Sequence, residues 1–278
     1  MNPIPSEHEL FTDKARIKRE IDKFYDRIVV TEEESQKILK GPQRGDEWKK
    51  HRSERLTASN GGSSIEHGYE TPQQTLVQKV WNTFGGNEAT EYGNINEDAA
   101  RSMSHVLIQK KLCDANYVEQ VILPAYGRQK LGAPVCTPKV SIVDIGLYVN
   151  PEYPWLGASS DGIVYMTFSD GTQEKATLEI KCPWAAGKKT LYREQTKTEH
   201  YVQVTMAMKL LSLPLAFYVQ YTPTHTKMQT IEFDKKYWDA IEGRTKYFWC
   251  CMAYNMILKE NNLLLYGQVR TLDPSVLE

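Results

Sequence analysis

The chain has 278 residues, 41% hydrophobic and 25% charged, and its 34 Lys and Arg against 35 Asp and Glu leave a net charge of −1. This composition suits a globular chain with a real core, and it excludes a uniformly basic, histone-like surface while leaving room for a local basic groove. The five cysteines (Cys113, Cys136, Cys182, Cys250, Cys251) form no C-x-x-C pair, and no run approaches the roughly 18 apolar residues of a membrane span, so a soluble intracellular protein without zinc fingers, disulfide framework or membrane attachment is expected.

Leu10, Phe11, Ile17, Ile21, Phe24 and Ile28 recur at near-helical spacing and predict a helix over about Glu7 to Val29. Thr31-Glu-Glu-Glu34 has the form of a capping box, and Gly41-Pro42 ends the helix it opens. Gln43 to Ser59, QRGDEWKKHRSERLTAS, is dense in cations around one tryptophan, and Trp48 and Arg52, four apart, share a helix face. Arg52 is suited to clamp a phosphate bidentately while Ser59 donates a hydroxyl hydrogen bond. The plainer alternative places Trp48 in the core and Arg52 in a surface ion pair. Gly61-Gly62 with Ser63-Ser64 reads as a flexible loop. Thr71-Pro72 then starts a helix through about Thr83, ended by Gly85-Gly86. Another helix is predicted from about Asn94 to Lys111, with Ala99, Met103, Val106 and Leu107 as its buried stripe. Glu97 falls in its first turn, where the helix dipole is reason enough for a carboxylate. From Tyr117 to Tyr148 the pattern turns β-like, as YVEQVILPAY and then VSIVDIGLYV.

Gly157 to Pro183 reads as two strands, Ile163 to Phe168 and Ala176 to Cys182, joined by a polar turn. Glu179 and Lys181 lie on one face of the second strand, and antiparallel pairing brings Asp161 beside Glu179. Two carboxylates and an ammonium then converge at one end of a sheet. Such an oxygen-rich site suits a hard cation like magnesium, with the lysine placed to orient a bound water. Against this, Asp161-Gly162 is also a turn dipeptide, and a Glu-x-Lys pair is also met on solvated strand faces. The following WAAGKKTLYREQTKTEH is basic through Lys188, Lys189, Arg193 and Lys197, as a phosphodiester backbone would require. A helix from about Glu199 to Leu211 carries His200 and Gln203 on one face, with Val202, Met206, Met208 and Leu210 toward the sheet. Strands Ala216 to Tyr221 and Met228 to Phe233 and a long helix from Asp234 to about Glu260 complete the pattern.

Trp48-x-x-x-Arg52-x-x-x-x-Thr57-Ala58-Ser59, Gly93-x-x-x-Glu97, Ser159-x-Asp161-Gly162, Glu179-x-Lys181-Cys182-Pro183 and Gln203 follow one another in that order. Over roughly Gln43 to Tyr221 this series resembles the phage lambda exonuclease and YqaJ-type viral recombinase nucleases, relatives of the herpesvirus and baculovirus alkaline nucleases. These are restriction-endonuclease-like enzymes of the D-x(n)-E-x-K type. The resemblance implies an α/β (α+β) fold with a central mixed β-sheet flanked by helices. It implies one nuclease domain over residues 1–278, made of a helical N-terminal extension (1–42), a core (43–260) and a C-terminal tail (261–278).

By the same resemblance Asp161 and Glu179 match metal-binding carboxylates, and the Ile180 carbonyl matches a backbone ligand. The metal would be Mg2+, with Mn2+ as a substitute. Lys181 matches the catalytic lysine, Glu97 the helical acid near the metals, and Gln203 the glutamine that helps hold the site. Arg52, Ser59 and Ser159 match residues that grip a terminal 5′-phosphate, with Trp48 in the same segment. The implied activity is 5′-to-3′ degradation of one strand of double-stranded DNA, leaving 3′ overhangs for recombination or viral DNA processing. The setting implied is a viral or phage protein in a host cell, working as a monomer or homotrimer, with a single-strand annealing protein as partner. An endonuclease on RNA or structured DNA, or an inactive DNA-binding recombination module, would use the same residues. One departure stands out: the family often carries a further acid shortly before the position of Asp161, and here that stretch reads Asn150-Pro151-Glu152, making Glu152 the candidate replacement.

Overall fold

The structure, a computed structural model, describes residues 7–83, 85–128, 137–184 and 196–278. The N-terminal helix is split into α1 (Glu7–Thr12) and α2 (Lys14–Ile28) at Asp13, whose carboxylate accepts from the Arg16 amide and caps α2. α3 (Glu32–Lys40) opens on the expected Thr31–Glu34 capping box and stops at Gly41. α4 (Asp46–Ser53), the short strand β1 (Leu56–Thr57) and α5 (Ala58–Ser64) follow. α6 (Pro72–Trp81) begins with Thr71 and Gln74 capping each other and closes on Asn82 in the left-handed region. Next come α7 (Glu88–Leu112) and a helical stretch made of α8 (Ala115–Tyr117), a π turn and α9 (Leu123–Ala125).

The strands β2 (Lys139–Val143), β4 (Gly162–Thr167), β5 (Gln173–Lys181), β6 (Leu215–Thr222) and β7 (His225–Glu232) form a five-stranded sheet in the order β2-β4-β5-β6-β7. Within this sheet only β5 and β6 pair in parallel, and the crossover between them carries α10 (Thr198–Leu211). One face is covered by α7 to α9, where Ile108, Leu112, Val118 and Ile122 meet Val164, Met166, Leu178 and Phe217. The other face is covered by α10. Beyond α10 lies the largest core cluster, shared by α2, α5, α6, α10 and the long helix α11 (Lys235–Glu260). β1 pairs in parallel with a second short strand, β3 (Leu156–Gly157).

Five local expectations are corrected. Residues 61–64 are helical and mostly buried, because the glycines let α5 lie directly on α10: a Cβ on Gly61 would meet Met206 Sδ at 2.2 Å, and one on Gly62 would meet the Glu199 Cα at 2.8 Å. α7 starts at Asn87, well before Asn94, and buries Ala100, Ser104, Ile108 and Leu112, leaving Met103 40% and Val106 57% exposed. Hydropathy favoured the wrong stripe because the inward one includes Ser104, whose hydroxyl is satisfied by the Ala100 carbonyl at 2.7 Å. Residues 115–125 are helical rather than extended, since Val118, Ile122 and Leu123 reach the underside of the sheet at helical spacing and Asp114 caps the first turn. In the second β-like stretch only Lys139–Val143 is strand. Finally, α10 is buried on two sides: Val204 and Met208 face the sheet, whereas Val202, Met206 and Leu210 face the large core.

Candidate active site

β4 and β5 pair antiparallel with Gly162 opposite Leu178, and the Asp161 amide donates to the Leu178 carbonyl at 3.0 Å. This register places Asp161 beside the second half of β5, where Glu179 and Lys181 share a face. Asp161 Oδ2 accepts from the Ile180 amide at 2.5 Å. Lys181 Nζ donates to Glu179 Oε1 at 2.7 Å and to Gln203 Oε1 at 2.9 Å, and Gln203 Nε2 donates to the same Glu179 oxygen at 2.6 Å. Glu179 is only 4% exposed. Gln203 reaches the site because α10 packs across β5 and β6 in the middle of the sheet, with the rest of its buried faces held by the two core clusters.

The charges act on one another strongly. Burial, then the repulsion of Glu179, pushes the Asp161 carboxyl up to about 7, with a smaller push from Glu97 and opposition from Lys181. Burial alone would lower Lys181, yet Glu179 and Asp161 outweigh it and hold the ammonium above its ordinary value. Glu97 lies three turns into α7, so the dipole explanation for it falls; it is held by Arg44 at 3.1 Å, and Arg44 also bonds Asn94 at 3.0 Å. Glu152 is exposed, with its amide bonded to Asn150 at 2.8 Å. Among the described residues no three His, Cys, Asp or Glu side chains are gathered as a metal cluster.

The donor chemistry still fits a hard divalent ion. Each carboxylate uses one oxygen in these hydrogen bonds, Asp161 Oδ2 and Glu179 Oε1, and the other oxygen of each has no bond among the described residues. Two carboxylates and the neighbouring Ile180 carbonyl form the kind of sparse oxygen set magnesium uses while keeping several waters.

A second group of polar side chains lies two residues from Asp161. The β1–β3 pairing sets Thr57 opposite Gly157, so the segment carrying Arg52 and Ser59 meets the segment carrying Ser159. Arg52 stacks on the Trp48 ring at 4.3 Å and donates to Ser59 Oγ at 3.2 Å. The Trp48 indole N–H donates to Ser159 Oγ at 3.1 Å. Among the described residues Arg52 is found with Trp48 and Ser59 and with no carboxylate. Ser160, between the two groups, receives the Thr177 hydroxyl at 2.8 Å and ties the loop to β5. Lys188, Lys189 and Arg193 lie outside the described residues; Lys197 sits over the Tyr69 ring at 4.5 Å.

Two residues here carried no sequence signal. Lys79, on α6, donates to the Arg52 carbonyl at 2.8 Å. Arg55, 1% exposed, donates to the carbonyls of Ile28, His51 and Pro154 at 2.6, 3.0 and 2.9 Å, fixing the turn from α4 into β1. Apart from His51, four residues before Arg55, their partners are distant in sequence, and no spacing rule connects them.

Residues 47–211 match the family model described as the YqaJ-like viral recombinase domain, a span that contains every site residue from Trp48 to Gln203. No curated protein matches the sequence significantly. A solved alkaline exonuclease from Laribacter hongkongensis, LHK-Exo, is similar with a TM-score of 0.54 at 19% identity, over 78% of this chain and 97% of that one. The same exonuclease in complex with dAMP gives 0.55 at 18% identity, over the same shares. Together with the mixed sheet flanked by helices, this likeness places the chain in the restriction-endonuclease-like fold class.

Proposed function

Because the chain belongs to the YqaJ-like viral recombinase domain family, we propose that it is a metal-dependent exonuclease that degrades one strand of double-stranded DNA from a 5′-phosphorylated end. The observation that carries this reading is the single network in which Lys181 and Gln203 meet on one oxygen of the buried Glu179, with Asp161 beside it. The similar solved protein is described as an alkaline exonuclease, which supports the same chemistry.

Asp161, Glu179 and the Ile180 carbonyl are the groups that would hold a magnesium or manganese ion. Such an ion, when bound, supplies Lewis-acid polarisation of a phosphate and acidifies a coordinated water. Lys181, kept protonated by the two carboxylates, acts as a donor: it orients the attacking water and stabilises negative charge growing on the phosphate. Gln203 locks Glu179 and Lys181 in one rotameric arrangement. Arg52, Ser59 and Ser159 form a donor-rich pocket for the terminal 5′-phosphate, and repeated seating of each new end gives 5′-to-3′ polarity.

The test is timed digestion of linear 5′-phosphorylated duplex, nicked circular duplex and RNA, each with and without magnesium, by the native protein and by Lys181→Ala. Loss of mononucleotides from the linear duplex only with magnesium, abolished in Lys181→Ala while DNA binding persists, is the expected result. Full activity of Lys181→Ala would remove the catalytic assignment. Cutting of the circle or of RNA at the same rate would replace the exonuclease reading with an endonuclease.

A further inference from the structure

Outside the residues assigned above, one half-buried cation stands directly behind the candidate phosphate pocket. Lys79 rises from α6, and its ammonium donates to the main-chain carbonyl of Arg52 at 2.8 Å, at the C-terminal end of α4. Arg52 in turn spreads over Trp48 at 4.3 Å and reaches Ser59. We infer that Lys79 is a positioning residue for substrate selection: it anchors the backbone from which Arg52 projects and, as a second positive charge, makes the pocket prefer a phosphate monoester at the 5′ end.

Three observations carry this. The Lys79 bond lands on the residue whose side chain faces the pocket, so it fixes Arg52 without occupying its donors. Burial and the adjacent Arg52 pull Lys79 down to about 7, and burial pulls Arg52 to about 10, with no acidic group among the described residues acting on either. Near neutral pH Lys79 is therefore only part protonated, because its charged form repels Arg52; an anion entering the pocket relieves that repulsion and draws Lys79 to its charged form. The remaining groups are the Trp48 N–H, which donates to Ser159 Oγ, the Ser159 hydroxyl, which donates to the Gly146 carbonyl, and the Ser59 hydroxyl; no carboxylate is among them. A 5′-phosphate monoester carries close to two negative charges at neutral pH, whereas an internal diester carries about one and a hydroxyl end none. A pocket with two cations discriminates among these by charge as well as by shape.

The inference rests on the reading of Arg52, Ser59 and Ser159 as a 5′-phosphate pocket, and the experiment separates the two. KM and kcat are measured on duplexes ending in 5′-phosphate or 5′-hydroxyl for the native protein, Arg52→Ala, Lys79→Met, Lys79→Gln and Lys79→Arg. Lys79→Met is expected to raise KM for the phosphorylated end about tenfold, leave kcat and the hydroxyl-ended substrate nearly unchanged, and be rescued by Lys79→Arg. An unchanged phosphate preference in Lys79→Met, or an equal loss on both substrates, would overturn it. Should Lys79→Met not fold, Lys79→Gln, which keeps a donor to the Arg52 carbonyl without charge, decides: a native preference there overturns the charge assignment. If Arg52→Ala also keeps the native preference, the pocket reading itself is what fails.

Discussion

Glu179 Oε1 receives Lys181 at 2.7 Å and Gln203 at 2.6 Å, so these three side chains act as one unit whose members cannot be removed independently. Gln203→Ala leaves the carboxylate and the ammonium with one partner fewer in a buried site. It should lower the single-turnover cleavage rate about 10- to 100-fold, the range for residues that orient a reacting group from behind. A rate within a factor of about two of the native one would show that Gln203 does not position Lys181. Asp161 makes the opposite demand. Its folded value of about 7 lies well above the roughly 3.9 of an unfolded aspartate. The native state therefore holds the extra proton between those values, and stability falls as pH rises from about 4 to about 7. In chelator, Asp161→Asn should flatten that limb of the pH–Tm curve, and at higher pH magnesium should raise the Tm of the native protein but not of the variant. Equal magnesium shifts in both would separate Asp161 from metal binding.

α5 shows how an element with poor helix formers becomes helical. Ala58-Ser-Asn-Gly-Gly-Ser-Ser64 has weak propensity by itself, but packing of Gly61 on Met206 and Gly62 on the Glu199 backbone leaves no room for side chains. This contact holds the Ser59 end of α5 against α10, which carries Gln203. Gly62→Val forces a Cβ to within 2.8 Å of the Glu199 Cα and should lower stability by about 3 kcal/mol, read by denaturant unfolding. A change below about 0.5 kcal/mol would mean that the two helices can separate freely. The β1–β3 pair is similarly small and similarly placed: two residues on each side bring the Arg52–Ser59 and Ser159–Asp161 segments together.

At the scale of the molecule, the first described helices and the C-terminal segment are both built into the large core. Leu10, Ile17, Ile21 and Phe24 from α1 and α2, and Leu272 and Val276 from the tail, pack with Trp249 and Trp238 of α11. The Tyr247 hydroxyl donates to the Leu272 carbonyl at 2.6 Å and the Tyr254 hydroxyl to the Leu10 carbonyl at 3.0 Å, tying both ends to one helix. Leu272→Ala should therefore cost about 3 kcal/mol, as for a fully buried leucine, with the midpoint of denaturant unfolding as the measure. Nearly native stability would show the tail to be an appendage.

The hairpin, α3, α6, α10 and α11 were legible from sequence because period-2 and period-3.6 patterns, a capping box and a Thr-Pro helix start are written in neighbouring residues. So was the Asp161, Glu179 and Lys181 face, since strand alternation fixes which side chains point together. Five things were not: the helical 61–64 and 115–125 segments, the true inner face of α7, and the roles of Lys79 and of Arg55. Each depends on a partner far along the chain, whether α10 against glycines, the sheet against Val118 and Ile122, or backbone carbonyls awaiting a buried cation. Local propensity is worth a few tenths of a kcal/mol per residue, and burial of one large side chain a few kcal/mol, so where the two disagree the tertiary contact decides.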